Sequence, residues 1–126
     1  MNHVGFMATL PMSDAMKLSI KVQDQIDLVV RRIAEEYKPE KIILFGSAAR
    51  GQMGPDSDVD LFIVKDDRQP RHQRNVSVRK VLRDVSYRLP LDVLVYTPKE
   101  VEYRLWLGDF FVKRIMKEGR VLYVKQ

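Results

Sequence analysis

The sequence contains no cysteine, and only one of its 126 residues is tryptophan. The absence of cysteine excludes disulfide bonds, thiolate nucleophiles and zinc or iron–sulfur sites with cysteine ligands. A metal ion bound by this chain must therefore have oxygen or imidazole ligands, and only two histidines are present. Glycine and proline occur six times each, so the composition is that of a globular protein and not of a collagenous or low-complexity one.

Long apolar runs are also missing. None approaches the roughly 20 residues of a transmembrane helix, and the first residues lack the basic start and apolar centre of a signal peptide. We therefore expect a cytoplasmic protein without a membrane partner. Residues 1–12 carry three of the six methionines and are predicted to form a flexible arm.

The length and the charge of the chain narrow the classes of function. A chain of 126 residues fits one domain, which we expect over residues 13–126. Lysine and arginine number 22 against 17 acidic residues, giving a net charge of +5. This excess permits contact with phosphates, nucleic acid or an acidic partner without requiring any of them.

Apolar periodicity and turn residues predict eight elements, in the order helix, strand, strand, helix, strand, helix, helix, strand. They are a helix from Ser13 or Asp14 to before Pro39, strands over 41–45 and 59–64, a helix with an apolar stripe from Val78 to Leu89 that ends before Pro90, a strand over 91–96, a helix capped at Thr97 and interrupted at Gly108, a helix over 110–119, and a strand over 121–124. This order predicts an α/β sandwich, with one small mixed sheet packed against helices.

Three aspartates stand at the starts of two predicted strands. Asp58 and Asp60 lie on one face of the second strand, roughly 7 Å apart at their Cα atoms, because side chains alternate along a strand. Val59, Leu61 and Ile63 are expected on the opposite, core face. Asp92 projects away from its apolar neighbours at the start of the third strand, so the three carboxylates can converge.

Such a cluster opposes folding unless cations neutralise it, because like charges close together repel and lose hydration. Mg²⁺ is the natural cation, since it prefers carboxylate, water and phosphate oxygens. Two such ions about 4 Å apart can activate an attacking hydroxyl and stabilise a leaving pyrophosphate. We therefore predict two magnesium ions held by Asp58, Asp60 and Asp92.

The loop between the first two strands contains groups suited to a triphosphate. Gly46 allows close approach of the backbone, and the amide and hydroxyl of Ser47 can donate hydrogen bonds to phosphate oxygens. Arg50 can add a charge-assisted contact.

The segment GSAARGQMGPDSDVDLFIV resembles the signature of the polymerase-β-type nucleotidyltransferase superfamily, which is Gly-Ser, ten residues and Asp-x-Asp. The short chain and the ending RIMKEGRVLYV are similar to the minimal nucleotidyltransferases, which are stand-alone catalytic domains often encoded beside a small helical HEPN protein. The resemblance spans roughly residues 14–125 and implies a polymerase-β-like nucleotidyltransferase fold.

The resemblance also implies roles for the motif residues. Gly46 and Ser47 would hold the nucleotide phosphates, Asp58 and Asp60 the two magnesium ions, and Asp92 would complete the catalytic triad. Members of the superfamily transfer a nucleoside monophosphate to a hydroxyl. In the HEPN pairs the small transferase is an antitoxin that transfers AMP, with ATP as the donor expected here, to a tyrosine of the toxic RNase. A hetero-oligomer with a HEPN toxin is therefore expected.

Two other functions stay open at this point. The chain could be an antitoxin that neutralises its toxin by steric binding without catalysis. It could also transfer nucleotides to RNA or to a small molecule such as an aminoglycoside. A basic stretch leaves RNA open as an acceptor. RNA is not favoured, because the stretch lacks the interleaved aromatic residues that are typical of single-strand binding. Its members are Arg68, Arg71, Arg74, Arg79, Lys80, Arg83 and Arg88, and the alternative interpretation is a solvated basic face.

Several further residues are of types that often have a functional role. Asp66 and Asp67 are adjacent carboxylates in a polar loop and are interpreted as solvated surface groups. His3 and His72 are isolated, so neither is assigned a metal. An aromatic group near the C-terminus fits a buried core and a partner surface equally well, and it consists of Trp106, Phe110 and Phe111.

Overall fold

The computed structural model describes residues 14–52, 58–85 and 87–126, with side chains from Lys21 onward. All eight predicted elements are present in the predicted order. They are α1 (Asp14–Glu36), β1 (Lys41–Phe45), β2 (Val59–Val64), α2 (Arg71–Val81), β3 (Leu91–Tyr96), α3 (Pro98–Trp106), α4 (Phe110–Glu118) and β4 (Arg120–Val124). The predicted α/β class with one small mixed sheet is confirmed.

The four strands form one sheet in the order β3-β2-β1-β4. β1 pairs antiparallel with β2 and with β4, whereas β2 and β3 are parallel. A parallel pair needs a crossover connection, which α2 supplies between β2 and β3. The starts of β2 and β3, where the predicted aspartates stand, therefore lie side by side, next to the end of β1.

Helices α1 and α2 cover one face of the sheet. The predicted stripe of α1 is buried there, with Val29 and Ile33 at 1% and 0% exposure, and it meets Ile42, Leu44 and Leu61 in the larger core. The alternative N-cap Ser13 lies outside the described residues, and the side chain of Leu18 is not described. Burial of this stripe provides most of the driving force for docking α1.

The opposite face of the sheet is also apolar, which the alternation in β2 did not predict. Phe62 lies on the same face as Asp60 and is fully buried with Ile43, Tyr96, Val112 and Ile115. Helix α4 covers this second core. Asp60 therefore stands at the border of a packed apolar face, where its charge is less well hydrated than on an open surface.

Helix α2 is shorter than its apolar stripe predicted. It ends at Val81, because the N–H groups of Leu82 and Arg83 donate to carbonyls three residues back, at Arg79 and Lys80, and tighten the chain into a turn. Leu82 and Leu89 are buried all the same. The apolar stripe correctly predicted that these residues are buried. The prediction that the helix continues to Pro90 is wrong.

Two residues predicted at the surface are buried instead. Arg74 is 6% exposed, and its guanidinium donates to both carboxylate oxygens of Glu100 and to the carbonyls of Gln69 and Val95. It joins α2 to β3 and α3 and is unavailable to a phosphate or to RNA. The interpretation of Arg74 as part of a solvated basic face is therefore wrong.

Asp67 is the second buried polar group, at 9% exposure. Its carboxylate accepts a hydrogen bond of 2.6 Å from the hydroxyl of Tyr37 and another from the backbone N–H of Gln69. Burial opposes ionisation of Asp67, but these hydrogen bonds and the charge of Arg74 bring its pKa below the usual range. Asp67 is thus structural, whereas Asp66 is exposed as predicted.

The C-terminal helices begin and end where the sequence predicts. Thr97 caps α3 in a capping box with Glu100, and Gly108 separates α3 from α4 with a positive φ of 77°. Gly119 ends α4 at an ordinary φ of −69°, so left-handed backbone is not the reason for glycine there. A Cβ at Gly119 would overlap the side chain of Ile43, so the close approach of the chain to β1 requires glycine.

Among the described helices, none combines the length and the apolar character needed to cross a lipid bilayer.

Candidate active site

Two of the three predicted carboxylates are direct neighbours across parallel strands. Asp60 on β2 is the register partner of Asp92 on β3, and Phe45, the last residue of β1, is the antiparallel partner of Asp60. Paired residues share a face of the sheet, so Asp60, Asp92 and Phe45 lie in a row on the face that α4 covers. The alternation along β2 and β3 predicted the shared face, and the register brings the two carboxylates together.

The electrostatics of Asp60 reflect this crowding. Partial burial, the negative charges of Asp92 and Asp58 and a side-chain hydrogen bond with Asp92 all raise the pKa of Asp60. Asp58 itself is exposed and follows directly on the undescribed residues 53–57. The cluster therefore holds negative charge that a cation or a proton would relieve.

Gly46 begins the turn after β1 and touches Asp60. Its φ is +74°, and a Cβ built on it would overlap the Oδ2 atom of Asp60 and lie 3.3 Å from its Cγ. Both the left-handed backbone and the lack of space demand glycine here. The predicted phosphate-binding position and the predicted metal ligand are thus in contact.

The turn that follows Gly46 is anchored by its own backbone and by the core. The N–H of Arg50 donates to the carbonyls of Gly46 and Ser47, the N–H of Gln52 donates to Ser47, and Ala48 is buried against α1. Within the described residues the N–H groups of Ser47 and Ala48 have no backbone acceptor. A bound anion could accept hydrogen bonds from them.

Arg50, the third predicted phosphate ligand, is exposed at the end of this turn. Its Nε donates to Oε1 of Gln52 at 3.2 Å, a contact on the surface that an anionic ligand can readily displace. Arg50 and Gly46 line the same cavity, so the turn presents both residues to one side.

A ready-made metal centre is not present in the described part of the chain, where no group of three or more His, Cys, Asp or Glu side chains is close enough to hold an ion. The donor chemistry nevertheless fits a divalent cation, because Asp60 and Asp92 offer adjacent carboxylate oxygens with unfavourable charge and Asp58 adds a third charge nearby. His72 is exposed and His3 lies outside the described residues.

Sequence reasoning missed the contribution of α4 to this region. Phe111, Arg114 and Glu118, spaced three and four residues apart on one flank of α4, line a cavity of about 180 Å³ together with Gly46 and Arg50. The ring of Phe111 packs edge to face against Phe45, with centroids 5.8 Å apart. The helical spacing was visible in the sequence, but only the packing of α4 on the sheet shows that this flank faces the turn.

The aromatic group near the C-terminus is largely on the surface. Phe110 is 85% exposed and Trp106 is 79% exposed, with the Trp106 ring stacked on Tyr103. We use "aromatic surface" for Tyr103, Trp106, Leu107 and Phe110. Phe111 is different, because it is 47% exposed and reaches from the edge of this surface to the cavity beside Gly46.

Comparison with known proteins identifies the domain. A family model described as a nucleotidyltransferase domain matches residues 26–123, which is most of the chain and includes every predicted site residue. The chain belongs to this nucleotidyltransferase family. Family membership supports nucleotidyl transfer as the general activity, with a nucleoside triphosphate as substrate and a divalent metal ion as the usual cofactor of the family.

A solved structure supports the same fold. The chain is similar to a protein of Sulfolobus solfataricus, provisionally assigned as a nucleotidyltransferase, whose crystal structure was determined at 1.40 Å resolution. The TM-score is 0.63, and the match covers 91% of each chain at 19% sequence identity. At this identity the likeness shows the nucleotidyltransferase fold. No curated protein matches the sequence at a significant level.

Proposed function

We propose that this nucleotidyltransferase is magnesium-dependent and transfers AMP from ATP to the hydroxyl of a tyrosine on a HEPN-family RNase toxin. In this proposal it acts in the cytoplasm as the antitoxin and forms a hetero-oligomer with the toxin. The observation that supports the transfer chemistry is a pair of contacts: Gly46 lies against Asp60, and Asp60 is the strand neighbour of Asp92. The turn that is proposed to bind phosphate thus lies beside two carboxylates at the ends of three adjacent strands.

The carboxylates would hold the divalent ions. Asp60 lies between Asp92 and Gly46, and Asp58 comes directly before β2, so Asp58, Asp60 and Asp92 are the proposed ligands. Bound Mg²⁺ would supply charge neutralisation for the triphosphate and activation of the acceptor hydroxyl. The raised pKa of Asp60 supports this assignment, since a cluster short of positive charge gains most from a cation.

In this proposal the strand order separates the residues that bind the phosphates from the residue that faces the acceptor. Gly46, Ser47 and Arg50 lie on the β1 side of Asp60, whereas Asp92 lies on the β3 side. An in-line displacement needs the acceptor and the leaving group on opposite sides of the α-phosphorus. The acceptor hydroxyl would therefore approach from the side of Asp92, whose carboxylate takes its proton as the new O–P bond forms. The bond to the β-phosphate breaks, and pyrophosphate leaves over the Gly46 turn.

The aromatic surface supports a protein as the acceptor. Trp106 and Phe110 are both more than three-quarters exposed and only four residues apart in the chain, and exposed apolar patches on a protein surface often mark a site of interaction with a partner. Aromatic residues are enriched in the centres of protein interfaces. Phe111 connects this surface to the cavity beside Gly46, so a protein bound there would lie next to the proposed site.

Steric neutralisation without catalysis is the second candidate, because the aromatic surface alone could hold a toxin. RNA is less favoured than the sequence indicated, since Arg74 is buried and Arg79 donates to the carbonyl of Leu91. Two members of the basic stretch thus make contacts within the protein that stabilise the fold.

An acceptor panel tests the proposal. The protein is incubated with Mg²⁺ and ATP labelled in the α-phosphate, together with the product of the adjacent gene, a mixed RNA or an aminoglycoside. We expect label only on the adjacent gene product, on tyrosine, with loss of its RNase activity. Label on RNA or the aminoglycoside would replace the proposed acceptor, and loss of RNase activity without label would favour steric neutralisation.

A further inference from the structure

The cavity between the Gly46 turn and α4 has a composition that the triphosphate does not explain. Its walls include the aromatic rings of Phe45 and Phe111 and the aliphatic side chain of Ile115, and Glu118 adds a negative charge at its rim. Arg50 and Arg114 also line the cavity and suit a phosphate, but a polyphosphate would gain nothing from the aromatic rings or Ile115 and would be repelled by Glu118. Apolar walls with a few polar groups at the rim are typical of a site for a flat organic ligand.

The position of the cavity ties it to the same nucleotide. Gly46 is a wall of the cavity and also touches Asp60, so the cavity adjoins the turn where the phosphates are proposed to lie. Phe45, another wall residue, is the register partner of Asp60. A group attached to the α-phosphate through a ribose therefore lies within reach of the cavity.

The polar side chains at the rim of the cavity form no hydrogen bond with each other. Nε of Arg114 and Oε1 of Glu118 are 3.9 Å apart, which is too long for a hydrogen bond and worth little on a surface. Both side chains are at least 48% exposed. The guanidinium of Arg114 can stack on a flat ring, and an ionised Glu118 can only accept hydrogen bonds.

From these observations we infer that the cavity binds the nucleobase of the donor nucleotide, with Phe111 and Arg114 contacting its flat faces and Glu118 accepting a hydrogen bond from an exocyclic amino group. This inference rests on the proposed function, since it assumes that a nucleoside triphosphate lies on the Gly46 turn. It adds the residues that would select the base, because a carboxylate acceptor favours bases that carry an amino group, such as adenine, over uracil.

Two adjacent phenylalanines provide a matched pair for the test. Phe111 lines the cavity beside Gly46, whereas Phe110 is 85% exposed and lines only an adjoining groove, which it shares with Phe111. Dissociation constants for ATP, UTP and inorganic tripolyphosphate are measured by calorimetry with Mg²⁺, for the wild type, Phe111→Ala and Phe110→Ala. Tripolyphosphate reports the phosphate site alone.

We expect wild-type protein to bind ATP more tightly than UTP. Phe111→Ala should raise the Kd for ATP about tenfold or more, which is the effect expected from loss of one base–aromatic stack. Its Kd for tripolyphosphate should not change, and Phe110→Ala should bind all three ligands as the wild type does. Glu118→Ala should reduce the preference for ATP over UTP, whereas Lys117→Ala, the neighbouring variant outside this cavity, should keep it.

Thermal unfolding of each variant separates a binding defect from a folding defect, and Phe111→Leu retains apolar bulk without an aromatic face. Unchanged ATP binding by Phe111→Ala, or an equal loss of ATP and tripolyphosphate binding, would overturn the nucleobase assignment and leave the proposed function standing. Failure of the wild type to bind either ATP or tripolyphosphate would overturn both.

Discussion

Asp60 is the residue whose environment is least favourable for the folded protein and most favourable for a ligand. Replacing it with the isosteric Asp60→Asn removes a charge that burial, Asp92 and Asp58 all disfavour. In metal-free buffer at neutral pH, we expect the variant to unfold at a temperature a few degrees higher, corresponding to about 1 kcal/mol or less after solvent screening. Asp66→Asn, in an exposed loop position, should unfold as the wild type does.

Calorimetry or circular dichroism measures this shift directly. A lower unfolding temperature for Asp60→Asn than for the wild type would show that the carboxylate supports the fold, which would contradict its assignment as a ligand-binding group.

Gly46 offers a second test at a single position, with Gly108 as its control. Both glycines have a positive φ, but a Cβ at Gly108 meets nothing within 4 Å, whereas a Cβ at Gly46 would overlap Asp60. Gly46→Ala and Gly108→Ala should each lose about 1–2 kcal/mol of unfolding free energy through backbone strain.

Only Gly46→Ala should also lose nucleotidyl transfer, by more than tenfold, because it displaces Asp60. Unfolding in urea and an assay of pyrophosphate release measure the two effects. Equal loss of transfer in both variants would mean that strain, and not the contact with Asp60, is responsible.

Single residues show how far sequence reasoning extends. The shared face of Asp60 and Asp92 followed from alternation along each strand, and the positive φ of Gly46 is consistent with its place in the turn after β1. Local sequence could not reveal that Asp67 and Arg74 are buried. Their partners, Tyr37 and Glu100, are about 30 residues away, so only tertiary packing satisfies these charges.

At the level of elements, the ion pair of Arg74 with Glu100 joins α2 to the capping box of α3. The hydrogen bond from Arg74 lowers the pKa of Glu100 below its ordinary value of 4.5. A carboxyl whose pKa is lowered by folding stabilises the protein above that value, and the stabilisation is lost as the pH falls through the folded-state pKa. The contribution of Glu100 should therefore be full at neutral pH and disappear in acid.

Glu100→Gln tests this prediction. At pH 7 the variant should lose about 1.5–3 kcal/mol of unfolding free energy, the range for hydrogen bonds to charged groups, and the deficit should shrink as the pH falls below 4.5. Glu102→Gln, at an exposed position on the same helix, serves as the control. Urea titrations across this pH range measure the difference, and a deficit that stays constant with pH would contradict the assigned role of the charge.

The elements also differ in how well their ends could be predicted. The start of α3 was predicted correctly, because Thr97, Pro98 and Glu100 form a local capping signal that the structure confirms. The end of α2 was not, since the apolar stripe continues through Leu82 to Leu89 after the helix has changed into a turn. Periodicity reports which side chains face a core, and it reports helix ends only where a capping or breaking residue accompanies it.

For the whole molecule, the most informative surface is the aromatic surface on α3 and α4. Trp106→Ser combined with Phe110→Ser should leave the unfolding temperature nearly unchanged, because both rings are mostly exposed. The double variant should bind ATP normally and lose its complex with the product of the adjacent gene by at least tenfold in Kd, as truncation of an interface centre does. Val76→Ser, which removes an exposed apolar side chain from α2, is the control.

Size-exclusion chromatography and calorimetry provide the readout for this prediction. Retention of the complex by the double variant would remove the aromatic surface from the proposed interface, whereas loss of ATP binding would show that the substitutions disturb the nucleotide site instead.

The order of strands could not be read from the sequence, although the α/β class could. Adjacent elements in the chain predict neighbours in space, but the placement of β4 beside β1 depends on how α4 crosses the second face of the sheet. That crossing also creates the cavity of Phe111, Arg114 and Glu118 beside Gly46. The motif residues of the site were thus predictable, and the wall that α4 adds was not.

The central claim is that the Asp60 cluster catalyses nucleotidyl transfer to a bound protein. Its most direct test is transfer of the α-phosphate label of ATP, with Mg²⁺, to the product of the adjacent gene by the wild type and by Asp60→Asn, with complex formation checked on a size column. We expect label from the wild type alone, while both proteins form the complex. A stable complex without label from either protein, or equal label from both, would contradict it.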